Sequence, residues 1–534
     1  MNNLKKIYEH IKYDGIRKTY YKCINKVEQI VISYNYYDTC KKKERDINTK
    51  FINEVNNYPK ISIVVPVFNV DDRFLIELIE SVIKQIYPYW ELCLVNAGNL
   101  SSNEEIILSY QKNETRIVYK KLEINKGIAL NTNEAISLAT GDFIAFLDHD
   151  DFITQDALSE VANCILQKEP DIIYSDEDKT NEKGNKFFEP HIKPKWSPRT
   201  LLSYNYICHF LVVRKRLIDK YGELKEGYEG SQDYEFILRM CENTGKIEHI
   251  PKILYHWRVS KTSTAGNIYQ KKHAIESSRK VIEDWGKNKN YDLDVRSGEY
   301  IGSQIIKSKR KLDENINIII YDKEIKDKKF IIDKLGHCLG KEKFEVYFYS
   351  IDNGRIEKDE EIINQQELYK KLMRNKYTVV LHALTDFTDK ELFINLYRET
   401  YITNALIVSP LILKDRKTIR SLGLSIKGNS IKRVYEGKKI NFQGYMGRLS
   451  IAQNVDAIEP ITFLIDTKEF IENIGLSFFE IDRWLKYCEK VSFNEQYIVV
   501  SPQLKVINDS ELIIKENSKI FNVLDKYMNF FQYF

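Results

Sequence analysis

From residue 61 onward the chain alternates between short apolar runs and segments with helical spacing. Ile61 to Val67 (ISIVVPV) is an almost uninterrupted β-branched run, the pattern of a strand covered on both faces. Phe68-Asn69 breaks it. Within Arg73 to Gln85, the residues Phe74, Leu75, Leu78, Ile79 and Val82, with Ile86 just beyond, fall on one side of a helix. Trp90 to Val95 predicts a second strand, and Asn96 to Asn103 a polar loop. Glu104 to Gln111 predicts a helix, Arg116 to Lys120 a strand and Asn125-Lys126-Gly127 a turn. Ile128 to Ala139 predicts a helix, and Phe143 to Leu147 a short buried strand. Strands alternating with helices imply an α/β fold with a parallel, doubly wound sheet. Ligands bind such sheets beyond the carboxyl ends of the strands. Asn69, Asn96 and Asp148 all fall at carboxyl ends, so three loops converge on one crevice.

The strand Phe143 to Leu147 stops abruptly at Asp148, His149, Asp150 and Asp151. Three carboxylates at the end of a buried strand repel one another unless a cation relieves them. Hard oxygen ligands suit Mg²⁺ or Mn²⁺, which carboxylates hold together with substrate phosphates. Asp148-x-Asp150 therefore reads as a metal–diphosphate site. Taken alone, the spacing also fits a solvated acidic turn, and the surrounding motifs decide between the two.

Those motifs are VVPVFN (64–69), NKGIALNTNEAI, ATGDFIAFLDHDD, DIIYSDEDK, KPKWSP, NYICH, EGSQDYEFILRM and LYHWRVSKTSTAG. In number, order and spacing, the segment from about residue 60 to 266 resembles a family-2 glycosyltransferase with the GT-A nucleotide-sugar-binding fold. More narrowly it is similar to bacterial enzymes that build rhamnose-rich or O-antigen-type surface glycans. The resemblance implies that Asp150 ligates Mn²⁺ or Mg²⁺, and that Asp148 contacts the ribose or the metal's water shell. It makes His256 of YHWR a further metal ligand; a packed core histidine is the plainer reading of that residue alone. Arg258 and the Ser263-Thr264 turn would meet phosphate oxygens. Pro66, Val67, Phe68 and Asn69 would line the base pocket, mainly through backbone, with His149 beside the nucleotide sugar. Lys126 is placed to approach the diphosphate or to stand exposed on its turn. Asp176 and Lys193 would border the donor-sugar pocket, and Trp196 would stack on a sugar or serve the scaffold.

Asp233 matches the family's general base, which takes the proton of the attacking acceptor hydroxyl. It also fits a helix N-terminus, where the dipole favours a carboxylate. A single base with in-line attack implies inversion, the family's stereochemistry. Gln232 stands where many relatives carry Glu. Asn96 stands where the second strand usually ends in the Asp that reads the base. An amide both donates and accepts, so this departure leaves the nucleotide open.

A chain of 534 residues implies more than one domain. Mean hydropathy of −0.42 and the lack of an 18-residue apolar run predict a soluble protein without a transmembrane helix. Lys5-Lys6 leads into a polar segment, so no signal peptide is expected. The eight cysteines are scattered without a CxxC pair, which suits a reducing cytoplasm and argues against zinc or a disulfide framework. The isoelectric point near 8.3 is too mild to imply nucleic acid. The first 50 residues carry 12 Lys/Arg against 6 Asp/Glu, with tyrosines and isoleucines interleaved. This fits a basic amphipathic helix on an anionic membrane, or, preferred here, a helical extension packed on the catalytic domain.

Three regions are expected: a helical basic extension (1–58), a GT-A catalytic domain (59–300) and a second, shortened GT-A-like α/β domain (312–534). A helix within Lys252 to Trp285 would close the catalytic domain, with Lys307 to Asp313 as linker. Beyond it, Ile316 to Tyr321, Phe344 to Tyr349 and Thr378 to His382 predict strands. The segment 444–476 resembles the acceptor-side region of a second glycosyltransferase module. That module is degenerate: LHALTD replaces the acidic motif, and Glu480 alone falls near the base position. Acceptor binding, dimerisation or support is its expected role.

The whole reads as an inverting, metal-dependent transferase. It would move rhamnose or a hexose from a nucleoside-diphosphate sugar to a hydroxyl of a glycan, glycolipid or glycoprotein acceptor. It would act in the cytoplasm or peripherally at the inner face of the plasma membrane, as a monomer or homodimer. The alternatives are a glycan-binding or scaffold protein built on such domains, and a nucleotidyltransferase. The last calls for a Gly-rich phosphate loop, and PVFNVDD is not one.

Overall fold

The β-branched run forms strand β1 (Ile61–Val67), almost wholly buried, and the first sheet grows outward from it. On one side lie β2 (Trp90–Asn96) and β3 (Ile117–Lys121); on the other lies β4 (Phe143–Phe146), all four parallel. Between them run α1 (Asp72–Ile83), α2 (Ser101–Gln111) and α3 (Ile128–Leu138). Helix α1 buries Phe74, Leu75, Leu78, Ile79 and Val82 of the predicted stripe, while Ile86, beyond its end, is exposed. Helix α2 starts earlier than predicted because Asn103 has a tertiary role. Its side chain accepts from Val70 N (3.2 Å) and donates to Val70 O (2.9 Å) and Asp72 Oδ1 (2.8 Å).

Beyond β4 come β5 (Phe152–Ile153), α4 (Ala157–Lys168), β6 (Ile172–Thr180), β7 (Phe187–His191) and β8 (Leu211–Arg214). They are followed by α5 (Lys215–Tyr221), α6 (Gln232–Cys241), β9 (Ile247–Arg258) and α7 (Ile268–Asn288). The sheet order is β3-β2-β1-β4-β8-β6-β9-β5, with β7 paired to β6. It is not parallel throughout: β8 runs antiparallel to both β4 and β6, while β6 and β9 are parallel. The parallel half thus ends at β4, and the antiparallel half brings its loops back to the same crevice.

The computed structural model describes residues 58–260, 268–339, 344–427, 430–494 and 496–510, with isolated positions between 23 and 37. The extension expected at 1–58 otherwise lies outside the described residues. Two units divide the chain. One comprises 26–196 and 204–282; the other comprises 197–203 and the chain from 283. Only the first two residues of the stretch expected as a linker, Lys307 and Ser308, belong to a strand, Gln304–Ser308, which pairs antiparallel with Leu293–Ser297.

The second unit repeats the strand order of the first. Its strands β10 (Ile316–Asp322), β11 (Phe344–Ser350), β12 (Tyr377–His382), β13 (Ile407–Leu413), β14 (Thr462–Asp466) and β15 (Ile498–Ile507) lie in the order β11-β10-β12-β14-β13-β15. This is β2-β1-β4-β8-β6-β9 again, with the same directions: β10 is parallel to β11 and β12, β14 is antiparallel to β12 and β13, and β13 is parallel to β15. Among the described residues no helix is long and apolar enough to cross a membrane.

At the amino ends of β1 and β2 a buried acid ties the sheet to its loops. Glu91 accepts from Ser62 Oγ, Thr140 N and Lys60 Nζ, each at 2.6 Å. Burial alone would raise its pKa; Lys60, Ser62 and Thr140 outweigh burial and hold it below the usual value. The contribution is therefore present above the unfolded-state pKa and lost as pH falls through the folded one. Glu91→Ala should lower stability at neutral pH by about 2 kcal/mol, because the buried Ser62 hydroxyl and the part-buried Thr140 N–H lose their acceptor. In urea titrations the deficit should shrink on acidification, and a deficit unchanged from neutral pH to pH 3 would refute this account.

Candidate active site

Past the carboxyl ends of β1 and β2 the two loops approach closely at Gly98. A side chain at Gly98 would meet Asn69 N and Oδ1 at 2.7 Å. Asn69 takes a left-handed conformation (φ 45°), which an Asn tolerates, and its Oδ1 accepts from Asn99 N at 2.9 Å. Asn96 is wholly buried. Its Oδ1 accepts from Gly98 N at 2.8 Å, and this orients the amide. Its Nδ2 lies near the Tyr119 hydroxyl but makes no hydrogen bond of good geometry. Pro66 O faces His149 Nδ1 at 3.0 Å, Val67 O accepts from Ala97 N at 3.0 Å, and Phe68 is exposed.

Past β4 the carboxylates separate. Asp148 is half-exposed at the mouth, with its Oδ2 3.6 Å from His209 Nε2. Asp151 is fully buried; Tyr255 Oη donates to its Oδ2 (2.5 Å) and Arg258 N to its Oδ1 (2.7 Å). Burial, reinforced by Asp150 and Asp148, pushes Asp151 well above the usual carboxylate range. Burial raises Asp150 as well. Carboxyls raised in this way ionise readily only when a cation joins them. Asp148, Asp151 and His209 each offer a ligand atom within 4.8 Å of the others. Two carboxylates and an imidazole form a donor set that fits Mn²⁺ or Mg²⁺, the imidazole favouring the former.

Asp150 and His256, the expected ligands, lie outside that group. Successive residues of a strand point to opposite faces. Tyr255 reaches Asp151, so His256 turns the other way, with its Nδ1 2.5 Å from Asp178 Oδ1 and its ring between Phe152 and Phe187. Asp178 also accepts from Tyr37 at 2.5 Å. Arg258 is buried. Its Nε donates to Asp150 O (2.7 Å), Nη1 to Glu182 O (2.8 Å) and Nη2 to Glu77, so the side chain braces the acidic loop from behind. Lys126 pairs with Glu134 at 2.6 Å, on the exposed side of its turn. Ser263 lies outside the described residues.

Asp176 and Lys193 are both buried with protein partners. Asp176 Oδ1 accepts from Lys193 N and faces His249 Nε2, each at 2.8 Å. Lys193 Nζ donates to Ile207 O (2.7 Å), to Glu177 Oε2 (3.2 Å) and to His209 O. They reach the crevice through the loop at 205–209, which they hold. Asp233 is the second residue of α6, and its Oδ2 accepts from Asn205 Nδ2 at 2.8 Å. Burial raises its pKa, with Asp148 adding to the effect and His209 opposing it. A raised carboxylate is a better proton acceptor at neutral pH.

His209, Glu177 and Tyr255 stand in this site without having been singled out in the sequence. His209 stacks on Tyr255 (ring centroids 4.6 Å apart, 10° between planes) and points its Nδ1 to Glu177 Oε2 at 3.2 Å. The signal was present in NYICH and YSDEDK, but only the fold joins those segments.

The corresponding position of the second unit carries opposite chemistry. Ile61 pairs with Phe143 and Ile316 with Tyr377, so five residues on, the place of Asp148 falls to His382. Beside it Glu459 is clamped by Arg420 (Nη2–Oε1 3.1 Å) and Arg433 (Nε–Oε1 2.8 Å). Arg420 Nη1 also donates to Ser510 O at 2.6 Å. The second residue of its helix Ile481–Phe493, the place of Asp233, is an exposed Asp482.

Residues 62–222 match the model of glycosyl transferase family 2. The chain is 39% identical over 243 residues to the uncharacterized protein y4gI of Sinorhizobium fredii, covering 44% of this chain and 26% of that protein. It is 37% identical over 209 residues to the O-antigen biosynthesis protein RfbC of Myxococcus xanthus, covering 39% of this chain and 16% of that one. The chain thus spans about a quarter or less of the length of these relatives. Among solved structures, S. aureus TarS 1–349 in complex with UDP is 22% identical over 42% of this chain and 64% of that one, with a TM-score of 0.34. That likeness is too slight to carry an argument.

The buried lysine gives a test of this architecture. Glu177 is held well below its usual pKa, against burial, by Lys193, His191 and His209. Lys193→Met should destabilise the first unit by about 3–5 kcal/mol, the cost of breaking a buried ion pair on one side. Urea denaturation followed at that unit's transition checks it. A loss below 1 kcal/mol would show that the ion pair does not hold the loop.

Proposed function

We propose that this chain, whose residues 62–222 are a family-2 glycosyltransferase domain, transfers a sugar from a nucleoside diphosphate to a hydroxyl of a surface glycan, with inversion and with a divalent cation. The observation that carries the reading is the gathering of Asn69, Asn96, the Asp148–Asp151–His209 group and Asp233 within one unit. The nucleoside lies over Asn69 and Asn96. Asn96 presents an amide where the family usually has a carboxylate, which supports an altered choice of base. Mn²⁺ or Mg²⁺, held by Asp148, Asp151 and His209 with Asp150 as a further candidate, would supply Lewis-acid stabilisation of the departing diphosphate. Asp233 takes the proton of the acceptor hydroxyl, and one displacement with one base inverts the anomeric carbon.

The acceptor class rests on the relatives' printed roles, O-antigen biosynthesis among them. Rhamnose or a hexose, on a lipid- or protein-linked glycan, fits this reading. So does work in the cytoplasm or at the inner face of the plasma membrane, with the basic N-terminal residues as a peripheral contact. The second unit acts in acceptor binding, self-association or support. Its guanidinium pair around Glu459 supports this, because cations at the strand ends repel a metal ion.

Two measurements test these assignments. In calorimetry with nucleotide sugars and Mn²⁺, the full chain should bind one donor, and Asp148→Ala should abolish that binding while keeping the fold. Two donor sites per chain, or turnover untouched by chelator, would defeat the reading.

Asp233→Asn should instead keep donor affinity and lower turnover by about 10²–10⁴, the usual cost of losing a general base. Near-normal turnover would move the base elsewhere.

A further inference from the structure

Asp233 sits in the first turn of α6, where a carboxylate tends to fold back onto the helix's own N–H groups. A base turned fully inward would be withdrawn from the acceptor. Two side chains from outside the helix oppose this: Asn205 Nδ2 donates to Asp233 Oδ2 at 2.8 Å, and Cys208 Sγ donates more weakly to the same oxygen at 3.9 Å. The amide cannot flip to suit, because its Oδ1 accepts the backbone N–H of Cys208 at 3.2 Å. The loop is held in turn. Cys208 is in the left-handed region (φ 34°), a conformation that costs about 1 kcal/mol or more for a non-glycine residue. Lys193 Nζ, wholly buried, ties Ile207 O and His209 O on either side of it, and Glu177 Oε2 accepts from His209 N at 3.2 Å.

We infer that Asn205 is a positioning residue for the transfer: pinned by the Lys193–Glu177 pair, it sets the rotation of the Asp233 carboxylate toward the acceptor. This rests on Asp233 being the base. In the step served, the acceptor O–H breaks and its proton goes to Asp233. The oxygen's electron pair forms the new bond to the anomeric carbon, and the bond to the diphosphate oxygen breaks with its pair. Asn205 touches none of the reacting atoms. Its effect passes through the angle at which the carboxylate meets the hydroxyl, and misplacement on the ångström scale costs about 10²-fold in rate.

The decisive variant is Asn205→Asp. It keeps the shape of the side chain and the acceptor for Cys208 N–H, but replaces the donating amide with a carboxylate oxygen. Two carboxylates at this distance share a proton, which occupies the base. We expect kcat to fall by about 10- to 100-fold with donor KM and calorimetric donor affinity within about twofold of wild type. Asn205→Ala should behave likewise. Neither change should lower the residual turnover of Asp233→Asn further, since no base remains to be oriented. Unchanged kcat in Asn205→Asp, alongside an inactive Asp233→Asn, would overturn this inference alone. An active Asp233→Asn would instead overturn the assignment of the base. Loss of donor affinity or of fold in both Asn205 variants would assign the residue to the scaffold and equally overturn the inference.

Discussion

Buried carboxylates at the carboxyl ends of a parallel half-sheet are the constraint on which the site depends. Asp151 is fully enclosed and held by a tyrosine hydroxyl and a backbone N–H, with Asp150 and Asp148 adding like charge. Leaving an ionised carboxylate in this position without an answering cation is costly. The surrounding residues read as the consequence. Arg258 braces the acidic loop, and Tyr255 is fixed against Asp151 and stacked on His209. His209 in turn bridges toward Glu177. A second buried charge, Lys193, fixes the loop that carries His209 and Asn205.

The two units show how far a backbone leaves chemistry undecided. Six strands share one order and one set of directions. In the first unit the end of β4 gathers carboxylates. In the second the end of β12 carries His382, with a glutamate clamped by two arginines nearby. One arrangement calls for a cation; the other already contains its own. The fold provides the crevice, and a few side chains decide what can enter it.

Much of this was legible from local pattern. The run Ile61–Val67 became β1 with those bounds, and the α1 stripe packed as its spacing required. Strand-end positions placed Asn69, Asn96 and Asp148 on one crevice. The misreadings came from residues whose role is tertiary. Asn103 looked like loop but extends α2 by bonding to Val70 and Asp72. Arg258 and Lys193 looked like ligands for phosphate and sugar. Both are buried, and their donors are spent on the protein itself.

By itself, then, the sequence determined the strand–helix alternation, the carboxyl-end crevice and the acid types available there, because hydrophobic period and residue chemistry are local properties. Which acids share a site with which histidine was decided only in three dimensions. Alternation along β9 sends Tyr255 toward Asp151 and His256 toward Asp178. The antiparallel return of β8 brings His209, 61 positions after Asp148, to within 3.6 Å of it. No local pattern encodes that meeting, since it depends on the order in which the strands pair.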